Sequence, residues 1–143
     1  MNQKNVLTLV FVFLAALFFT GCANQPGQPA KEKVVLHLTD KEPYRWNIIY
    51  NNSKKMMEYL GPEKVEVEVV ANAGGIQMLK ADSTFANRVD EMIKLGIKVV
   101  ACEETMIEGK ITKADMNPHI GYVARGNLEI VRLQRAGWVY IKP

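Results

Sequence analysis

Among the side chains able to make and break bonds, one thiol has the most favourable address. Cys102 follows the apolar run Ile97 to Ala101 and precedes Glu103-Glu104-Thr105-Met106. That order is a strand ending where a helix begins. A helix N-terminus favours negative charge, and the thiolate is the nucleophilic form of cysteine. The adjacent carboxylates of Glu103 and Glu104 work against a further negative charge. The plain alternative is a buried cysteine that packs as a small hydrophobe. A base for the thiol is not evident from spacing. His119 opens a later strand that could lie beside Cys102, and a Cys–His pair would need that contact; an ordinary strand-end role is the simpler expectation. His37, inside Val34-Val35-Leu36-His37-Leu38, reads as a hydrogen-bonded core imidazole. The two histidines and the cysteine lack the spacing of zinc motifs, so neither a metal nor a cofactor is expected.

Two further groups are candidates for binding. Gly74-Gly75 would let a backbone approach a phosphate or other anion at a helix N-terminus, although a turn needing positive φ explains the pair more simply. There is no G-x-G-x-x-G and no P-loop lysine, so a nucleotide is not expected. Asp40, Glu103 and Glu104 can gather near Arg125 at one sheet edge, or stand solvated.

The elements that would carry these residues alternate between strand and helix. Val34 to Leu38 is too short for a helix and reads as a first strand. Pro43 suits a helical first turn. Trp46, Ile49, Ser53, Met56 or Met57 and Leu60 then recur at helical spacing until Gly61-Pro62 stops the helix. Val65, Val67 and Val69 alternate with Glu66 and Glu68, a second strand expected nearer a sheet edge. Asn72-Ala73-Gly74-Gly75 forms a tight loop, Ile76 to Lys80 a short helix, and Phe85, Val89 and Met92 or Ile93 the buried stripe of a longer one ended by Gly96. Ile97 to Ala101 reads as a third strand at the centre of the sheet. Gly109 to Pro118 is irregular, with a turn opened by Thr112, and His119 to Ala124 is the fourth strand. Asn127 caps a helix carrying Leu128, Val131 and Leu133, ended by Gly137, and Trp138 to Ile141 closes the sheet.

Five such alternations with short connections predict an α/β domain, an open and mostly parallel sheet with helices on both faces. Ligands in such folds sit outside the carboxyl ends of the strands. Those ends are Thr39-Asp40, Asn72 to Gly75, Cys102 to Thr105 and Ala124 to Gly126.

The amino terminus carries an address. Lys4, the apolar run Val6 to Phe19, then Thr20-Gly21-Cys22 follow the order of an export signal, and the run is shorter than the ~20 residues a membrane-crossing helix requires. The Thr20-Gly21-Cys22 junction resembles a lipobox, which implies a signal peptide over 1–21 and lipid on Cys22. Residues 22–32, rich in Asn, Gln, Pro and Gly, read as a flexible tether, leaving 33–143 as one domain. This places the domain on a cell or outer membrane, facing the periplasm or the exterior. Lipidation would consume one of the chain's two cysteines and leave Cys102 as the lone thiol. A net charge of +3 with both signs interspersed is not the balance of a nucleic-acid binder.

Val34 to Leu38, Gly61-Pro62 before Val65 to Ala71, Val99-Val100-Ala101-Cys102 with Thr105-Met106, and the ending Leu133 to Pro143 together resemble a DsrE/DsrF-like domain. The resemblance covers Lys33 to Pro143. It implies a three-layer α/β/α fold with a five-stranded parallel sheet, assembly as trimers or hexamers, and a cysteine that carries persulfide sulfur between a donor and an acceptor protein. Cys102 is the residue available for that role, and an exported protein would not thiolate transfer RNA directly. The competing expectation is a non-catalytic oligomeric scaffold of the envelope with Cys102 structural. A third is a small-ligand binder using the Gly74-Gly75 loop.

Overall fold

The computed structural model describes Ala30 to Pro143. The expected signal peptide, Cys22 and most of the expected tether lie outside the described residues. The described chain runs β1 (Glu32–Leu38), α1 (Pro43–Leu60), β2 (Val65–Ala71), a 3₁₀ segment (Ala73–Leu79), α2 (Ala86–Lys94), β3 (Lys98–Cys102), α3 (Glu103–Glu108), a 3₁₀ turn (Lys113–Asp115), β4 (Gly121–Val123), α4 (Gly126–Arg135) and β5 (Val139–Ile141). The strands form one five-stranded sheet in the order β4-β3-β2-β1-β5, and every pairing is parallel. This is the α/β fold expected.

Local chemistry sets the boundaries. Pro43 occupies the first turn of α1, where its missing N–H costs nothing, and Gly61 ends that helix at φ 84. Gly96 and Gly137 end α2 and α4 with φ of 87 and 85. Thr112 caps the 3₁₀ turn reciprocally with Asp115, whose carboxylate also accepts the Thr112 N–H at 2.7 Å.

Strand order departs from expectation in two places. β2 is the middle strand and not an edge, while β3, expected at the centre, is second from the β4 edge. Glu68, read as part of a polar face, is 1% exposed and is matched by Lys98 from β3, whose Nζ lies 3.0 Å from its Oε2. A charge partner on the neighbouring strand is what permits a carboxylate inside the sheet.

The 3₁₀ segment absorbs both the predicted tight loop and the short helix. β4 keeps only Gly121–Val123 of the stretch expected from His119, consistent with a glycine weakening strand pairing. Asn127 is not the cap of α4: Arg125 holds that position, and Asn127 lies in the first turn. Leu128 and Val131 are exposed, whereas Ile130 and Leu133 are buried, because only that stripe meets the sheet.

The two sheet faces are covered unequally. Val34, Leu36, Leu38, Val67, Val69 and Val99 pack against α1, the 3₁₀ segment and α2 in one large apolar cluster. On the other face Val35, Val70 and Val100 meet Ile130 and Leu133 of α4, with Val123 and Trp138 partly buried against them. Right-handed crossovers explain the split: the chain moves one way from β1 to β4, then returns across the sheet to β5, so α4 falls on the opposite side.

Candidate functional site

The connection after β4 leaves toward the opposite face from those after β1, β2 and β3, and a crevice opens where connections diverge at the carboxyl ends. A cleft of about 430 Å³ occupies that place. Asn72 and Ala73 line it from the end of β2. Cys102, Glu104, Thr105 and Glu108 line it from β3 and α3, and Arg125 to Leu128 from the start of α4.

Cys102 is the last residue of β3 and immediately precedes α3. It is 3% exposed, and its Sγ accepts the backbone N–H of Gly126 at 3.2 Å. Gly126 leaves little room: a Cβ there would stand 3.3 Å from the Cβ atoms of both Cys102 and Asn72. Thr105 Oγ1 accepts the Ala73 N–H at 3.3 Å, steadying a residue held at φ 46, where a side chain is disfavoured. Arg125 pairs with Glu104 at 3.3 Å across the cleft rim.

Other candidates go elsewhere. Glu103 turns to Lys113 at 2.7 Å and lines a shallower neighbouring groove. Asp40, Gly74 and Gly75 do not line the cleft. Asp40 lends its carbonyl to the Trp46 indole N–H at 2.8 Å, fixing the turn into α1. Neither glycine has positive φ; the residue that does is Ala73. Their smallness serves contact with the end of β1. A Cβ on Gly75 would come within 2.3 Å of the Leu38 carbonyl oxygen, and one on Gly74 within 2.8 Å of the Lys41 nitrogen. The space an anion would need at this glycine pair is filled by the protein's own backbone.

His119 does not meet Cys102. The residue beside Cys102 on β4 is Val123, and His119 precedes the other end of that strand, 3.1 Å from Asp90. Hydrogen bonds from Asn117 and His119 hold the Asp90 carboxyl below its ordinary value. No group of three His, Cys, Asp or Glu gathers as a metal site among the described residues.

Sequence reasoning expected a hydrogen-bonded His37 and placed Asn72 at the site, and missed the partners that join them beside this cleft. His37 is half-buried: its Nδ1 lies 2.8 Å from the Tyr140 hydroxyl and its Nε2 2.9 Å from Asn72 Oδ1. Asn72 Nδ2 in turn donates to Asn127 Oδ1 at 3.0 Å. Burial holds the imidazole below its ordinary value, against the upward pull of the Asn72 bond, with Lys142 lowering it further. The strand parity of His37 relative to Val35 was a usable signal for its face. Nothing in the sequence placed β5 beside β1.

No family model and no curated protein matches the chain. Solved structures do, among them two proteins of unknown function. The protein of unknown function MTH1491 from Methanobacterium thermoautotrophicum is 31% identical, with a TM-score of 0.75 over 79% of this chain and 100% of that one. The conserved protein of unknown function BT1422 from Bacteroides thetaiotaomicron is 12% identical, with a TM-score of 0.66 over 78% of this chain and 95% of that one, a likeness of fold alone.

Proposed function

We propose, of a chain that belongs to the same family as the Methanobacterium thermoautotrophicum protein MTH1491, that its work is sulfur transfer with Cys102 as the carrier. The observation that carries this reading is the place of the thiol: the one nucleophilic sulfur of the domain borders the cleft at the carboxyl ends of the strands, with a backbone N–H aimed at it. The DsrE/DsrF-like resemblance supports the same role.

The step balances without an external oxidant. The Cys102 sulfur attacks the outer sulfur of an anionic donor, a persulfide or polysulfide ending in S⁻, and a new S–S bond forms at Sγ. The donor's S–S bond breaks and its electron pair leaves with the donor thiolate, which takes the thiol proton of Cys102. Cys102 is left as a persulfide anion. The Gly126 N–H donates to Sγ, the sulfur that becomes the inner atom of the persulfide.

The Met1 to Cys22 pattern supports tethering by lipid on Cys22 outside the cytoplasm, and the resemblance supports a trimer or hexamer. A donor or acceptor protein would dock over the cleft.

Intact-mass analysis after polysulfide treatment tests the reading. The expected result is one added sulfur, removed by reductant and lost in Cys102→Ser. An unchanged mass in the native protein overturns it. The second reading, an oligomeric scaffold with Cys102 structural, is favoured by the 3% exposure of the thiol and its close packing against Gly126. It expects Cys102→Ala to retain the protein's biological role with no sulfur loaded at any stage.

A further inference from the structure

Four side chains from four elements form one hydrogen-bonded row into the cleft: Tyr140 of β5, His37 of β1, Asn72 after β2 and Asn127 of α4. Their polarities are coupled, each bond setting the direction of the next. An amide oxygen only accepts, so with Asn72 Oδ1 turned to the imidazole it is His37 Nε2 that carries the hydrogen between them. In a neutral imidazole Nδ1 then holds the lone pair and accepts the Tyr140 hydroxyl hydrogen. Asn72 donates onward through Nδ2, and the Asn127 oxygen accepts that bond. The Asn127 NH₂ group has no hydrogen-bond partner among the described residues, and Asn127 lines the cleft.

The opposite tautomer would invert the whole row. With the hydrogen on Nδ1, Nε2 would need a donor, both amides would turn over, and Asn127 would offer the cleft an oxygen. The tautomer of a histidine that does not line the cleft therefore selects between donor and acceptor there. Two carboxylates also border the cleft; Glu104 is paired with Arg125, and Glu108 is exposed, where solvent screens it.

We propose that His37 is a positioning residue: fixed as its Nε2–H tautomer between Tyr140 and Asn72, it turns the Asn127 amide N–H toward the cleft and so equips the site for an anionic sulfane-sulfur compound. This rests on the reading of Cys102 as the carrier and names the charge of the donor it serves.

Nitrogen-15 NMR on the full chain tests it, with thiosulfate as the probe anion. The expected results are the Nε2–H pattern at His37 and a saturable shift of the Asn127 side-chain amide. His37→Leu should weaken thiosulfate binding about tenfold, the scale of one hydrogen bond to a charged group, and His37→Gln, which keeps a side-chain N–H for Asn72, should restore most of it. A merely structural His37 would weaken both variants alike. That result, an Nδ1–H tautomer, or an Asn127 amide blind to thiosulfate overturns the proposal. The mass of Cys102 after polysulfide is read separately. A responding Asn127 with no sulfur on Cys102 removes the carrier reading and leaves His37 as the orienting group of an anion site.

Discussion

One face of the sheet is sealed by α1, the 3₁₀ segment and α2; the other is crossed by α4 alone. The first is apolar, and its strand positions are valine, leucine and alanine matched to Trp46, Ile49, Met78 and Met92. The second has a small apolar centre with polar groups at both ends: Glu68 toward the strand starts, and His37, Asn72 and Asn127 toward the cleft. Apolar burial scales with area removed from water, so the crowded face supplies most of the stability. A single covering helix leaves its margins open, and polar side chains can sit there with partners. The difference explains why the cleft lies at the start of α4 and not beneath α1.

The largest expected effect separates two glycines. Gly75→Ala forces a Cβ into the Leu38 carbonyl, with backbone on both sides, and should cost more than about 4 kcal/mol, the range reserved for serious steric conflict. Gly126→Ala, at the cleft, meets two Cβ atoms in tight but yielding contact and should cost only about 1–2 kcal/mol. Urea unfolding of the two variants measures this, and equal losses would mean that the cleft side is as rigid as the sealed side.

Truncating the two cores gives a second contrast. Leu36→Ala on the sealed face should lose about 4 kcal/mol and Leu133→Ala on the open face about 2–3 kcal/mol, because the thin layer under α4 can collapse into the space. A larger loss at Leu133 would break the comparison.

The smallest effect concerns Glu68. Burial raises its carboxyl above the ordinary value, against the pull of Lys98, and its Oε1 has no hydrogen-bond partner within the protein. A raised carboxyl favours the folded state most at low pH. That contribution is fully present below the ordinary carboxylate value and is lost as pH rises through the raised one. Glu68→Met should therefore stabilise the fold by about 1 kcal/mol at pH 8, with a smaller gain at pH 4, since Lys98 is half exposed and can return to water. Unfolding midpoints at the two pH values check the sign; destabilisation at pH 8 would show that the Glu68–Lys98 pair outweighs its burial.

Much of this frame was legible in local chemistry. Pro43, Gly61, Gly96 and Gly137 mark helix ends because fixed or positive φ is a property of one residue and its neighbours. The strand-end rule pointed to Asn72, Cys102, Thr105 and Arg125, and the structure brings these four to one cleft. Glu68 misled because alternation with Val67 and Val69 looks the same on a solvated edge and under a helix. Leu128, Ile130, Val131 and Leu133 fit two overlapping stripes, and only the approach of α4 to the sheet decides which is buried.

By itself, then, the sequence determined the alternation of elements, their ends and the thiol at a strand terminus, all set by neighbours within a few residues. Only the tertiary structure decided the strand order, the burial of Glu68, the parting of His119 from Cys102, and the row from Tyr140 through His37 to Asn127. The physical reason is distance along the chain. Tyr140 reaches His37 across 103 residues, and Asn127 reaches Asn72 across 55. Such contacts exist only after the return of α4 places β5 beside β1.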